Sequence, residues 1–270
     1  MKKNQIVKIY GGLGNQLFQY AFAMYLSKIS NNKILLDINE FRYVKHHSGC
    51  LLSELLFVKF SYINIFNHLK FKVSKFLNSY GNIYLKQNDY SANKIPLNDK
   101  IQMVKYFEGY WQNLTMVNTV LEDLISAKKT NNFNSHDIKD NFIAIHVRRG
   151  DYLNNEKMYS NICNKKYYEN AVKYFEINFK NPKFFIFSDD INWCKLNLTF
   201  IKNCEFVDYN TSAIEDFTMM TEFKNKIISN STFSWWAAML NSKNKNIISP
   251  RVWNNFIEYN DLIPETWIKI

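Results

Sequence analysis

Several features common in other protein classes are missing from this chain. Its four cysteines, Cys50, Cys163, Cys194 and Cys204, show no C-x-x-C spacing, which argues against a disulfide framework or a zinc site and for a reducing compartment. No apolar run approaches the roughly 18 residues of a membrane-spanning helix, and residues 1–30 lack the cleavage site of a signal peptide. We therefore expect a cytoplasmic protein, with peripheral contact with the inner membrane left open.

Two short motifs are also missing. No pair of aspartates has D-x-D spacing, a common platform for a divalent metal, so we predict no metal and no cofactor. The glycine loop Gly11-Gly12-Leu13-Gly14 does not fit the dinucleotide pattern G-x-G-x-x-G. A sharp turn feeding a packed helix explains these glycines, but it does not explain the polar pair Asn15-Gln16 that follows them.

The composition supports large cores and a basic surface. Hydrophobic residues make up 47% of the 270 residues and the net charge is +10. This length suits two domains, which we place at residues 1–135 and 136–270, because residues 130–140 form the best linker in the chain. The charge suits an anionic small molecule, a nucleic acid or an anionic membrane surface. Since lysine is spread out and no Arg/aromatic module appears, we predict no nucleic-acid partner.

Strand and helix patterns alternate along most of the chain. Ile6 to Tyr10 predicts a strand, then a helix capped by Asn15 and a second strand at Lys33 to Asp37. Met103 to Phe107 predicts another strand and Leu114 to Ser126 a helix. The second half has five predicted strands: Phe142 to Val147, Phe184 to Phe187, Glu205 to Asp208, Lys226 to Ser229 and Asn246 to Ser249. Ser212, with Glu215 three residues on, predicts a capping box that opens a helix. This alternation favours an α/β fold with two Rossmann-like domains that face each other across a cleft.

Residues 38–100 give little to interpret. Helical spacing from Ile63 to Leu77 leaves lysines on one face, which suits either an ordinary solvated helix or one that lies on a membrane. The pair His46-His47 predicts loop polarity, because no third metal ligand is close in sequence.

Polar clusters follow three predicted strands of the second half. They are His146 to Asp151, Ser188 to Asp190, and Ser229 to Trp235. Parallel strands end at the same edge of a sheet, where α/β proteins bind ligands, so we expect the three clusters to lie together. The last cluster opens a helix, whose N–H groups and hydroxyls offer an anion site.

The first cluster contains two adjacent arginines. Because neighbouring residues of a strand point to opposite sides, we expect Arg148 and Arg149 to differ in role, one entering the cleft and one bracing the loop. A guanidinium suits phosphate or carboxylate, and Asp151 is placed to hold one of them. Arginine beside a hydroxyl-rich helix start indicates a diphosphate pocket. A carboxylate such as Asp189 or Asp190 would then accept hydrogen bonds from a base such as guanine.

Four segments of the chain resemble the motifs of bacterial α-1,2-fucosyltransferases, glycosyltransferase family eleven. These segments are Gly11 to Ala21, His146 to Tyr152, Phe187 to Asp190 and Ser229 to Ala237. The His-x-Arg-Arg string is shared with α-1,6- and protein O-fucosyltransferases, whereas the glycine loop and the Ser-Trp-Trp segment narrow the resemblance to the α-1,2 group. The resemblance implies a GT-B fold, GDP-β-L-fucose as donor, inverting transfer without a metal, and a galactose 2-hydroxyl as acceptor. We accordingly expect residues 136–270 to bind GDP-fucose and residues 1–135 to lie on the acceptor side.

The residues then take predicted roles. Arg148 would meet the charge that grows on the β-phosphate, and Asn15 would help to close the cleft over it. His146 is either a base or a buried structural residue, and Asp151 supports the loop or touches the substrate. The predicted donor-binding residues are Gly14, Asn15, Arg148, Arg149, Asp189, Asp190, Ser231, Thr232 and Phe233.

Two other hypotheses remain open at this point. In the first, the chain is a non-catalytic protein of the same fold that binds a GDP-sugar or a glycan. In the second, it is an enzyme that fucosylates another acceptor position or uses another GDP-sugar. By resemblance, the expected acceptor is a galactose-containing glycan of the surface polysaccharide or O-antigen type. The positive charge would favour approach to an anionic membrane.

Overall fold

A computed structural model describes most of the chain. The described residues are 3–43, 49–66, 68–69, 84–87, 99–129, 138–150, 152, 156–159, 161–209, 212–255 and 262–270. The chain divides into two compact units, Met1–Lys129 (unit 1) and Thr130–Ile270 (unit 2). The boundary predicted at 135/136, the pair His46-His47 and most of the helix predicted from Ile63 to Leu77 lie outside the described residues.

Unit 1 is built on a parallel sheet of five strands in the order β3-β2-β1-β5-β4. Its strands are β1 (Asn4–Lys8), β2 (Lys33–Asp37), β3 (Ser61–Tyr62), β4 (Tyr84–Lys86) and β5 (Tyr106–Glu108). Its helices are α1 (Leu13–Ile29), α2 (Leu52–Leu55), α3 (Leu114–Asn118) and α4 (Leu121–Ala127), with 3-10 turns at Asn39–Arg42 and Asp99–Gln102. In register, Lys8 of β1 lies beside Asp37 of β2, and Ile6 lies beside Tyr106 of β5.

Helix α1 is buried over most of its surface, as its apolar composition predicts. The prediction that Asn15 caps it is wrong. The helix begins at Leu13 with Gly12 at the N-cap, and no side chain caps it. Asn15 therefore lies inside the first turn, where its amide serves other contacts.

Two further boundaries differ from the predictions. The strand predicted from Met103 to Phe107 runs instead from Tyr106 to Glu108. The helix predicted from Leu114 to Ser126 is divided in two at Thr119 and Val120. The hydroxyl of Thr119 donates to the carbonyl of Met116 at 2.7 Å, and such back-bonding by a β-branched residue disfavours a continuous helix.

Unit 2 is built on a parallel sheet of six strands in the order β11-β10-β9-β6-β7-β8. The strands are β6 (Phe142–Val147), β7 (Lys183–Ser188), β8 (Cys204–Phe206), β9 (Asn225–Ile227), β10 (Asn246–Ser249) and β11 (Ile268–Lys269). The helices are α5 (Glu156–Tyr159), α6 (Lys165–Asn178), α7 (Ile191–Asn197), α8 (Ala213–Glu222) and α9 (Thr232–Met239). The predicted alternation is confirmed, and Ser212 and Glu215 form the predicted capping box of α8.

The strand order places one crevice in each unit. The chain leaves β6 toward β7 and β8, then crosses to β9 on the other side of β6. In unit 1 it leaves β1 toward β2 and β3, and later returns to pair β5 with the opposite side of β1. Open α/β sheets bind ligands beyond the carboxyl ends of such strand pairs. The candidate sites are therefore the ends of β6 and β9 in unit 2 and of β1 and β5 in unit 1.

Two further observations concern the described part of the chain. None of its helices combines the length and apolar character needed to cross a bilayer. All four cysteines carry free thiols. Burial raises the pKa of the Cys163 thiol to about 12 and that of Cys194 to about 11, so both stay protonated and unreactive near neutral pH.

Candidate functional site

The loop after β6 is held by a carboxylate at the end of β7. Val147 lies beside Ser188 in the ladder, which brings the two arginines opposite Asp189 and Asp190. Asp189 Oδ1 accepts from the backbone N–H of Arg149 at 2.9 Å, and its Oδ2 accepts from the N–H of Gly150 at 3.0 Å. The same Oδ2 lies 3.0 Å from Nη1 of Arg148. One carboxylate thus fixes both the backbone of the loop and the first guanidinium.

The second guanidinium is fixed separately. Nε of Arg149 donates to Asp190 Oδ2 at 3.2 Å, and its guanidinium carbon lies 3.9 Å from the ring centroid of Trp193. Asp190 also caps α7 by accepting from the N–H of Trp193. The Arg149 side chain keeps 24% of its surface exposed, and its Nη groups make no hydrogen bond within the described residues. A clamped guanidinium with open Nη groups is preorganised to bind an anion.

Gly150 is required by the closeness of Asp189. A Cβ at position 150 would lie 2.6 Å from Asp189 Oδ2, well inside van der Waals contact. Since that oxygen is held by two donors, it has little freedom to move away. This steric limit accounts for glycine directly after the arginine pair.

His146 lies behind the loop rather than on its surface. The ring is 5% exposed, and Nδ1 is 2.8 Å from the hydroxyl of Ser229. Phe233 stacks on the ring with centroids 5.4 Å apart. Burial, helped by the charge of Arg148, lowers the pKa of His146 to about 3. The imidazole is therefore neutral near pH 7, and its Nδ1 contact joins β6 to the segment that follows β9.

The cluster after β9 forms the other wall of this crevice. Ser231 caps α9 by accepting from the N–H of Phe233 at 3.3 Å. Asn230 is 2% exposed; its carbonyl accepts from the Tyr152 hydroxyl at 2.7 Å, and its amide donates to the carbonyl of Trp253. The three predicted polar clusters do lie at neighbouring strand ends of one parallel sheet.

The predicted site residues of unit 2 are thus brought together at one edge, with one exception. Arg148, Arg149, Asp189 and Asp190 form a single ion-paired cluster, and Ser231, Thr232 and Phe233 open α9 beyond the adjacent strand β9. Asp151 lies outside the described residues. Within the described residues, Asp189 and Asp190 hold the two guanidinium groups. From the sequence, this role was predicted for Asp151 and not for Asp189 and Asp190.

In unit 1 the amides after the glycine loop connect three turns. Gln16, fully buried, donates to the carbonyls of Gly11 and Gly49 at 2.9 Å and accepts from the N–H of Leu51 at 2.9 Å. Gln19, also buried, accepts from the N–H of Tyr10 at 2.9 Å and donates to the carbonyl of Gly109 at 3.2 Å. Of the polar pair Asn15-Gln16 that a packed helix alone did not explain, Gln16 therefore has structural contacts, and Gln19 has contacts of the same kind.

Asn15 differs from these buried amides. It is half-buried, and its Oδ1 accepts from Gln112 Nε2 at 3.1 Å. This bond joins the turn after β1 to the turn after β5. Gly14, predicted to bind the donor, is buried in the first turn of α1.

Sequence reasoning missed one buried polar cluster of unit 1. Asp37 Oδ2 lies 2.6 Å from His68 Nδ1 and accepts from the Tyr106 hydroxyl at 2.6 Å. Burial alone would raise the pKa of Asp37, but hydrogen bonds from Tyr106, His68 and Asn39 outweigh it and lower the pKa. The signal in the sequence was a carboxylate ending a buried strand, yet its partners are distant in sequence.

Within the described ranges, no three His, Cys, Asp or Glu side chains come together as metal ligands would. Metal independence stays a prediction.

The chain also matches a known protein family. The model of the family "Glycosyl transferase family 11" matches residues 6–270. The chain belongs to that family. The family resemblance read from the four sequence segments is therefore confirmed.

Three relatives are similar to this chain over different lengths. An alpha-1,2-colitosyltransferase of Escherichia coli is 30% identical over 290 residues, covering 98% of each chain. The O-antigen biosynthesis glycosyltransferase WbnK of Escherichia coli is 29% identical over 298 residues, covering 96% of this chain and 98% of WbnK. A galactoside alpha-(1,2)-fucosyltransferase 1 of Saimiri boliviensis boliviensis is 30% identical over 104 residues, 37% of this chain and 28% of that protein.

The fold has a solved counterpart. NodZ alpha-1,6-fucosyltransferase, a Bradyrhizobium protein whose structure was determined after soaking with GDP-fucose, aligns with a TM-score of 0.53 at 12% identity. The alignment covers 89% of this chain and 93% of NodZ. This likeness and the two parallel sheets confirm the predicted α/β fold of the GT-B type. The family 11 chain is a glycosyltransferase.

Proposed function

We propose that this family 11 protein transfers L-fucose from GDP-β-L-fucose to the 2-hydroxyl of a galactose unit, with inversion and without a metal. The observation that carries the proposal is the arginine pair, clamped by two aspartates at the strand crossover of unit 2. A diphosphate needs cationic donors in fixed positions, and two guanidinium groups supply them.

The two aspartates affect charge and position differently. As a set, two arginines and two aspartates carry no net formal charge, so they attract a distant anion weakly. At close range the guanidinium N–H groups face the ligand with their orientation already fixed, and the ordering cost on binding is small. The N-terminus of α9 adds aligned backbone N–H groups at the end of the neighbouring strand.

In the proposed reaction the bond between fucose C1 and the β-phosphate oxygen breaks as the galactose O2 attacks C1 from the opposite face, and the proton of that hydroxyl is released to solvent. Negative charge passes to the β-phosphate, and we assign Arg148 to meet it. Arg149 holds the diphosphate, and Ser231, Thr232 and Phe233 provide the opposite wall for phosphate and ribose. His146 has a structural role in this scheme, because its low pKa and buried Nδ1 contact suit support of the loop better than proton transfer.

The contacts of Asp189 and Asp190 favour a role other than the predicted binding of guanine. Each oxygen of Asp189 already accepts a hydrogen bond from the arginine loop, and Asp190 accepts from α7 and Arg149. We propose that their principal task is to position the guanidinium groups. We propose that Asn15 contributes its half-buried amide to substrate binding.

A second candidate is the same transfer with colitose in place of fucose. It is favoured by the alpha-1,2-colitosyltransferase that matches this chain over 98% of both lengths. The relative WbnK, named for O-antigen biosynthesis, supports a surface polysaccharide as the acceptor class in either case. Such a product is assembled at a membrane, which would suit peripheral contact of a chain with net charge +10.

The test supplies the purified protein with GDP-fucose or GDP-colitose, and with lactose or a panel of galactosides, in the presence and absence of a chelator. We expect GDP release and a product whose new linkage is at galactose O2, at the same rate with the chelator. GDP binding without any transfer would support the non-catalytic hypothesis instead. Loss of turnover on chelation, restored by manganese, would contradict metal independence, and a marked preference for GDP-colitose would select the second candidate.

A further inference from the structure

The crevice of unit 1 is formed by two turns with unusual backbone geometry. The turn after β1 contains Gly11 at φ +76°, and the turn after β5 contains Trp111 at φ +55°. A bulky residue rarely adopts this left-handed conformation. Such strained residues concentrate where a turn must present its neighbours in a fixed way.

The strained turn at Trp111 is held firmly by its surroundings. The indole is 1% exposed and stacks on Phe22 with centroids 4.1 Å apart and planes 11° from parallel. The backbone N–H of Trp111 donates to Gln87 Oε1 at 2.8 Å. Gln87 also explains Gly109, since a Cβ there would lie 2.5 Å from Gln87 Cβ. Buried contacts therefore maintain a backbone that the residue itself disfavours.

This turn presents Tyr110 and Gln112 toward the turn after β1. The rings of Tyr110 and Tyr10 lie 5.1 Å apart at 35°, and the amides of Gln112 and Asn15 are joined at 3.1 Å. A Cβ on Gly11 would lie 3.4 Å from Asn15 Nδ2 and 3.9 Å from Tyr110 Cε1, so the aromatic pair and the amide pair both border Gly11. All four side chains are half-buried.

The chemistry of this cluster suits a neutral ligand. Lys8 Nζ lies 4.6 Å from the centroid of the Tyr10 ring, but Glu40 and Glu108 pair with its ammonium. Aromatic faces pack against the C–H face of a pyranose, and amide groups both donate to and accept from its hydroxyls. The ion-paired guanidinium groups of unit 2 offer the contrasting chemistry, which suits phosphate.

We infer that Tyr10, Tyr110 and Gln112 form the subsite that binds the sugar ring of the acceptor and determines which glycan is used. This inference rests on the proposed function, because the sugar it assigns is the acceptor of that transfer. The strained turn at Trp111 positions two of the three residues.

The test compares Tyr110→Ala and Tyr10→Leu with Tyr110→Phe, which keeps the ring. Tyr25→Ala is the matched control, since Tyr25 is a half-buried tyrosine of α1 that lies about three turns beyond Asn15. We expect the acceptor KM to rise at least about tenfold in the first two variants and to stay near the parent value in the other two. The Kd for GDP and the rate of GDP release without acceptor should stay within about twofold in all four.

A second experiment measures acceptor binding independently of transfer. Lactose and a galactoside panel are titrated into an Arg148→Ala protein, and binding is observed by saturation-transfer NMR. Binding lost on adding Tyr110→Ala supports the subsite even if no transfer is found with any donor, in which case only the proposed function fails. Three outcomes overturn the subsite: an unchanged acceptor KM in both Tyr110→Ala and Tyr10→Leu, a parallel loss of GDP binding, or no galactoside bound at all.

Discussion

Unit 1 and unit 2 both place the turn of a central strand at the carboxyl edge of a parallel sheet, but they secure it with different chemistry. In unit 2, the loop at Arg148 and Arg149 is held by the carboxylates of Asp189 and Asp190. In unit 1, the turn at Gly11 is held by the neutral amides of Gln16 and Gln19. The turn after the central strand is therefore held by charged groups in unit 2 and by neutral amides in unit 1, where the nearby ammonium of Lys8 is paired with Glu40 and Glu108.

This difference indicates a division of labour. Under the proposed function, the ion pairs that fix the loop of unit 2 leave guanidinium N–H groups in place for a diphosphate, whose charge changes during the reaction. Buried amides fix the turns of unit 1 without creating a strong field, which suits a ligand with hydroxyl groups only. Changing one residue at each edge should reveal whether the two edges act in this way.

The largest effect is expected for Arg148→Ala. Removing this guanidinium takes away the group that meets the leaving diphosphate and leaves Asp189 facing it, so kcat should fall by about 10³-fold. Steady-state GDP release with GDP-fucose and a galactoside measures the loss. Arg251→Ala, at an exposed arginine of the same unit, is the control and should match the parent.

The effect of the Asp189 charge on GDP binding can be tested in the same series of variants. An Arg148→Ala/Asp189→Asn protein should bind GDP more tightly than Arg148→Ala alone, because the repelling carboxylate is gone. A parent-like turnover in Arg148→Ala would remove the basis of the proposed reaction. Equal GDP affinities in the single and double variants would show that Asp189 does not face the diphosphate.

The next effect is expected for Gln16→Leu in unit 1. Leucine cannot satisfy the carbonyls of Gly11 and Gly49 or the N–H of Leu51, and each buried unpaired group costs about 1–3 kcal/mol. Because leucine burial offsets part of this cost, we expect a loss of about 2–4 kcal/mol in the free energy of unfolding of unit 1. Hydrogen exchange of peptides from each unit measures it.

Gln102→Leu is the control for this change, since Gln102 is exposed. Protection in unit 2 should not change in either variant, because the lost hydrogen bonds all lie in unit 1. Undiminished protection of α1 in Gln16→Leu would mean that the amide contacts contribute little, and that the contrast between the two edges is not one of stability.

Some features of the two units could be predicted from the sequence, and others could not. The buried strand Phe142–Val147 and the capping box at Ser212 were predicted because their signals are local: an apolar run in one case, and a three-residue spacing in the other. Parallel pairing then implied that the polar clusters meet. The contacts of Arg148 with Asp189 and of Gln16 with Gly49 were not predicted, since they join residues 41 and 33 positions apart (189 − 148; 49 − 16).

The smallest expected effect is a difference in acid sensitivity between the two units. The pKa of His146 is lowered in the folded protein to about 3, while the unfolded chain takes up a proton near pH 6.5. Stability from this group is therefore complete above pH 6.5 and is lost as the pH falls from 6.5 toward 3. The slope is about 1.4 kcal/mol per pH unit, or about 2 kcal/mol between pH 6.5 and 5.

Asp37 in unit 1 also loses its contribution on acidification, but in a lower pH range, because a carboxylate with a lowered pKa stabilises the fold at every pH above its ordinary value. That contribution is lost only as the pH falls below about 4 and through the folded pKa. Acidification from pH 7 to 5 should therefore reduce hydrogen-exchange protection of β6 and leave that of β2 nearly constant. In His146→Phe, which keeps a ring against Phe233 but cannot titrate, the loss at β6 should largely disappear. If β6 lost as much protection in that variant as in the parent, the acid sensitivity of unit 2 would have to come from a group other than the histidine that links β6 to β9.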